Sequence, residues 1–142
     1  MQPGKVQPAN LPIQSASNEI TPGVWAAGWG TADDDKLSPV LLHAKLEKET
    51  VFDKLFTVFG QNRRGSVCFG DSGGGIFADT ATRDVIGISS YVSRPPEALQ
   101  NEKKSCRYHN VQSGFTRVSA YVDAINEALS TCTNESTSCF KN

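Results

Sequence analysis

The sequence predicts an all-β domain, a barrel or a sandwich with one terminal helix, on three observations. Short apolar runs alternate with glycine-rich and polar stretches along most of the chain, which is the punctuation of strands and turns. One run, Val40 to Leu46, puts Val40, Leu42, Ala44 and Leu46 at every second position, the period of a half-buried strand, although a helix accommodates the same residues almost as well. Helical spacing is clear only near the end, and no internal repeat is visible.

Taken in order, residues 1–23 are rich in Pro, Gln, Asn and Ser. Pro3, Pro8, Pro12 and Pro22 exclude helix interior and central strand, so this stretch reads as an extended linker. Val24 to Gly30 is an apolar strand ending in glycines, and Thr31 to Lys36 its polar turn, with Asp33-Asp34-Asp35-Lys36 a solvated loop. Glu49 to Phe56 reads as a short helix, Thr57 to Gly60 as a strand and Asn62 to Gly65 as a polar loop. Gly75 to Ala78 and Val85 to Tyr91 read as strands joined by a hairpin over Asp79 to Asp84, and Ser93 to Cys106, polar and carrying Pro95-Pro96, as a long surface loop. Val118, Tyr121, Val122, Ile125 and Leu129 fall on one face of a helix, with Ser119 as its N-cap and that face against the sheet. The folded unit then spans 24–130, and 131–142 is a tail.

The chain has 142 residues, enough for one domain or one lobe of a larger protein with a modest core. Fourteen basic and fifteen acidic residues are scattered, so neither nucleic acid nor an anionic membrane is an expected partner. No apolar run approaches the roughly 20 residues that cross a bilayer, and Met1 to Asn10 lacks the apolar stretch of a signal peptide. Cys68, Cys106, Cys132 and Cys139 form neither a CxxC pair nor a zinc-spaced cluster with histidine, so no metal or cofactor is expected. Disulfides are the better reading, with free thiols as the alternative, and they imply an oxidising compartment. The sequon Asn134-Glu135-Ser136 fits that setting as a glycosylation acceptor at Asn134.

Chemistry concentrates in Cys68-Phe69-Gly70-Asp71-Ser72-Gly73-Gly74, a serine among three glycines beside an acid and a cysteine. Glycines let the backbone turn sharply and a carbonyl approach the main chain, so that the N–H groups of Gly70 and Ser72 can hold a developing oxyanion while Ser72 attacks, although these residues by themselves fit an ordinary glycine-rich turn better. The stretch resembles the active-site motif of the chymotrypsin and trypsin family. Further segments resemble that family in its own order: Val6 to Pro12 its interdomain linker, Val24 to Thr31 the first strand of its second barrel, Phe52 to Phe56 its intermediate helix, and Gly114 to Val122 its last strand and C-terminal helix.

The resemblance implies the second of the family's two antiparallel Greek-key β-barrels, trypsin-like, with a C-terminal α-helix. It makes Ser72 the nucleophile, Gly70 and Ser72 the oxyanion donors, and Asp71 the acid that pairs with the freed N-terminal amine on activation. It pairs Cys68 with Cys106 and leaves Cys132 and Cys139 as a local bridge. It sets Ser66 at the floor of the specificity pocket, Ser90-Tyr91-Val92 along the substrate backbone and Ser113 opposite, with the Val92 side chain narrowing the entrance. Small or medium apolar residues would then precede the cleaved bond. Departures are Gly75 in place of the usual proline, Phe52 and Phe59 near the positions of a missing disulfide, and an insertion over Ser93 to Ser105 in which Glu102, Lys103 and Lys104 read as solvated surface.

A serine hydroxyl needs a base and a group to orient it. In the family both lie on the first barrel, ahead of the linker where this chain starts, and His43 and His109 read as surface or structural histidines. The implied function is a secreted serine endopeptidase working through an acyl-enzyme on Ser72, here an incomplete chain inactive by itself. Its partners would be polypeptide substrates, protein inhibitors and the missing N-terminal barrel of a parent chain. A non-catalytic homologue serving as a secreted binding module is the alternative.

Overall fold

The computed structural model describes residues 9–12, 23–31, 36–60, 66–78, 84–99, 106 and 110–134. Strands β1 (Gly23–Gly28), β2 (Leu42–Val51), β3 (Leu55–Gly60), β4 (Gly75–Ala78), β5 (Val85–Ser93) and β6 (Gln112–Arg117) close into a barrel in the order β1-β2-β3-β6-β5-β4, all neighbours antiparallel. The first three strands run as a meander. The chain then crosses to the far side of β1, and β6 returns between β5 and β3, a Greek-key path. A short helix, α1 (Pro96–Leu99), follows β5, and a 3-10 turn (Ser119–Tyr121) leads into α2 (Val122–Asn134). The expected all-β antiparallel barrel with a C-terminal helix is the observed architecture.

Strand alternation decides what fills the barrel. Val24, Ala26, Leu46, Phe56, Val58, Ile76, Ala78, Ile86 and Phe115 are buried from all six strands, joined by Val67 from the loop that carries Ser72. Phe56 and Phe115 are cross-strand partners that stack with centroids 5.6 Å apart. Beside them β5 can carry only glycine: a Cβ on Gly87 would stand 2.7 Å from the Phe56 ring and 2.8 Å from Ile76 Cγ2.

Glu49 to Phe56, expected as a short helix, is a hairpin. β2 continues through Val51 and β3 begins at Leu55, with Thr50 opposite Thr57 and Val51 opposite Phe56. β-Branched Thr50, Val51 and Thr57 favour the pleated backbone, and Phe56 gains more inside the barrel than on a surface helix. The intermediate helix implied at Phe52 to Phe56 is therefore replaced by a tight turn. Arg117 closes it, its guanidinium donating to the carbonyls of Phe52 (2.8 Å) and Asp53 (3.0 Å) and its backbone N–H to that of Lys54 (2.9 Å).

Other expectations shift. Ser119 is not an N-cap: it is buried within the 3-10 turn, where its Oγ accepts from Arg117, and Val118 holds the position before the turn. Phe115 and Val118 are buried before α2 begins, and in α2 Val122 and Ile125 are half-buried while Leu129 stays exposed. The loop after β5 is shorter than expected at its start, since β5 runs to Ser93 and α1 follows. Of the linker-like segment, Pro12 is fully buried, and the Asn10 carbonyl accepts from Val85 N–H at 3.1 Å while its amide donates to buried Asp84 at 3.3 Å. The loops expected at Asn62 to Gly65 and over Asp79 to Arg83 lie outside the described residues.

Gly87→Ala is expected to lower the unfolding free energy by about 1–3 kcal/mol through overpacking, read by urea denaturation. Combined with Phe56→Leu, the loss should be smaller than the sum of the two single losses, because the same ring causes the clash.

Candidate active site

The serine loop leaves the core at buried Val67 and turns twice. Asp71 N–H donates to the Cys68 carbonyl at 3.1 Å and Gly74 N–H to the Asp71 carbonyl at 3.0 Å. Gly70 (φ 96°) and Gly73 (φ 78°) both lie in the left-handed region that side chains disfavour, and between them Ser72 is carried on an exposed tip. A Cβ on Gly70 would also stand 2.8 Å from Leu37 Cδ2. Among the described residues nothing accepts from the N–H of Gly70 or of Ser72.

Asp71 points away from the tip, into the end of β1. One carboxylate oxygen accepts from Gly30 N–H at 2.8 Å and the other from Cys68 N–H at 3.0 Å. Charge-assisted bonds of this kind are about twice as strong as neutral ones. The space for them exists because residues 28 and 30 lack side chains: a Cβ on Gly28 would lie 2.1 Å, and one on Gly30 2.3 Å, from a carboxylate oxygen. From sequence these glycines mark only a strand end; their role as the receptor of Asp71 has no local signal. The loop is also held by Thr31 N–H donating to the Phe69 carbonyl at 2.8 Å and by the Cys68–Cys106 disulfide. That bridge spans 38 residues, a closure that costs the unfolded chain about 4 kcal/mol of entropy in the chain-entropy model.

On its other side the loop pairs with β5, Gly73 N–H donating to the Ser89 carbonyl at 3.0 Å and Ser89 N–H to that of Gly74 at 2.9 Å. Immediately beyond, the register with β6 slips by one residue, so that Ser90 is bulged out, exposed, and Tyr91 stands opposite Gly114. Gly114 is where the Tyr91 ring lies, 2.1 Å from any Cβ placed there. Val92 pairs with Ser113, and the Ser113 hydroxyl, 1% exposed, hydrogen-bonds that of Ser66. Of the pocket residues expected from sequence, Ser66, Ser113 and Val92 are thus brought together, with Ser90 and Tyr91 on the same strand.

His43 sits on β2 at the barrel's outer face, its ring 5.5 Å from that of Trp25, and His109 lies outside the described residues. Cys139 and most of the sequon also lie outside them, while Cys132 and Asn134 fall in the last turn of α2. Among the described residues no acidic, histidine and cysteine cluster fits a metal, and no helix is long and apolar enough to cross a membrane. One contact has no counterpart in the sequence reading: the Arg94 guanidinium lies over the Phe69 ring at 5.8 Å.

Asp71→Ala is expected to cost about 1–3 kcal/mol, because two backbone N–H groups lose their acceptor, and Gly30→Ala to cost a similar amount by driving the same carboxylate out. Chemical denaturation of the two single variants and the double variant should give a double loss well short of additive.

A family model described as Trypsin matches residues 2–125. No curated protein matches the chain by sequence. Among solved structures, a mutant of human heparin binding protein is similar with a TM-score of 0.68 at 21% identity, over 96% of this chain and 55% of that one. Granzyme C is similar with a TM-score of 0.66 at 22% identity, over 88% of this chain and 54% of the other. The chain thus spans about half the length of these solved structures, and at such identity their likeness speaks for the fold alone. The family match takes in every strand of the barrel and the Ser72 loop, and on that ground the chain belongs to the trypsin family.

Proposed function

We propose that the chain is the nucleophile-bearing half of a secreted serine endopeptidase, with Ser72 attacking the scissile carbonyl to form an acyl-enzyme. The observation that carries this reading is the loop geometry: an exposed serine between two left-handed glycines, on a turn braced by Asp71, by the Cys68–Cys106 bridge and by β5. The N–H groups of Gly70 and Ser72 are the oxyanion donors, and Asp71 is the acid that an activated N-terminus engages. The general base and its orienting carboxylate belong to a first barrel in a longer parent chain. Trp29, Leu37, Val40 and Leu41, each more than half exposed beside the loop, offer that barrel an apolar seat.

For the residue before the cleaved bond, Ser66 and Ser113 make a neutral floor, since their hydroxyls hydrogen-bond each other and neither carries a charge to pair with Arg or Lys. Val92 occupies the adjoining wall, which favours small or medium apolar side chains. The second reading, a non-catalytic binding module, draws on the likeness to a protein named for binding heparin. An upstream segment with a histidine beside a cysteine and a buried aspartate favours the enzyme; its absence favours the binder.

The 142-residue chain is expected not to react with a fluorophosphonate probe at Ser72, because loss of the base costs several orders of magnitude in rate. The parent protein, once activated, should label, and Ser72→Ala should abolish it. Stoichiometric labelling of the isolated chain would show that a base is supplied from within these residues, with His109 the first to test.

A further inference from the structure

Arg94 lies directly after β5, two residues beyond Val92, and its guanidinium carbon is 5.8 Å from the centroid of Phe69, the 57% exposed residue between Cys68 and Gly70. A guanidinium over a ring at this distance is attracted by the ring's negative face and keeps its N–H edge for hydrogen bonds. Among the described residues no carboxylate takes that edge: the Asp71 oxygens accept from Gly30 and Cys68, and Glu97, one turn on in α1, makes no pair with Arg94. The stretch that Arg94 opens is fastened to the nucleophile loop at both ends, by β5 at its start and by the Cys106–Cys68 bridge at its close. Along it the sequence carries Arg94, Lys103, Lys104 and Arg107 against Glu97 and Glu102, an excess of cations in a chain whose net charge is −1.

We propose that Arg94, seated over Phe69, is a specificity-determining residue that receives an acidic side chain, Asp or Glu, of a polypeptide lying across the serine loop. The inference rests on the reading that polypeptides bind in front of Ser72. A carboxylate arriving there meets a two-pronged guanidinium donor beside the Phe69 ring. The pocket of Ser66, Ser113 and Val92 selects by size; Arg94 adds a selection by charge at a neighbouring position.

The test is an NMR titration of the isotope-labelled chain with two peptides that differ only in one central Asp or Asn, following Arg94 Nε–H and the amides of Gly70, Gly73 and Ser90. The Asp peptide is expected to saturate at a concentration up to about fivefold lower, a ratio that shrinks at high salt. Arg94→Ala should bring the ratio to one, and Arg94→Lys, which keeps the charge without the fork, should retain part of it, with the Cys68–Cys106 bridge checked in both. Equal saturation by the two peptides while Gly70 and Ser90 shift, or an unchanged ratio in Arg94→Ala, overturns the assignment to Arg94 and leaves the polypeptide reading standing. If neither peptide moves Gly70 or Ser90, the polypeptide reading fails and this inference goes with it.

Discussion

The Asp71 carboxylate is the fixed point of the site. By accepting from Gly30 at the end of β1 and from Cys68 at the base of its own loop, it ties two segments that the chain order keeps far apart. Each remaining feature of the loop depends on that tie. Gly28 and Gly30 must be bare to admit the oxygens, Gly70 must adopt its left-handed turn so that the acid points inward while the next residue points out, and Ser72 is exposed because Asp71 is not. The backbone N–H groups compensate the carboxylate where water is partly excluded.

The barrel adds a second constraint. Closure leaves no free sheet edge, so the only places where the chain can be displaced without losing a ladder are loops and bulges. The serine loop uses the first and Ser90 the second. Their pairing through Ser89 puts the bulge next to the serine, so Ser90, Tyr91 and Val92 are aligned by the same two hydrogen bonds that hold the loop against β5.

Much of this was legible in the residues. β1, β4 and β5 follow apolar runs with clear punctuation, while part of β6 and the serine loop were reached through the resemblance to the trypsin family. The segment Glu49 to Phe56 was not legible, since its local pattern is ambiguous and the decision lies with partners far along the chain, Phe115 to stack on Phe56 and Arg117 to cap the turn. Ser119 failed as a cap for a related reason, being drawn into the interior at the end of β6. The contact of Arg94 with Phe69 and the glycine receptor for Asp71 have no sequence signature, because each is a meeting of distant residues across a closed barrel.

Replacing a helix with the Arg117-capped turn also bears on the order in which the barrel assembles. β2 and β3 are joined by only Phe52, Asp53 and Lys54, so bringing them together costs little chain entropy, whereas β1 meets β4 only after most of the intervening sequence has been gathered in. The hairpin is therefore expected to be an early seed and the β1–β4 seam a late one. Amide exchange during refolding, with protection at Val51 and Phe56 ahead of Val24 and Ala78, is the corresponding signature. The serine loop, which connects to the late seam through Gly30, would then take its working shape only when the cylinder shuts, making an ordered Ser72 a report on completed folding.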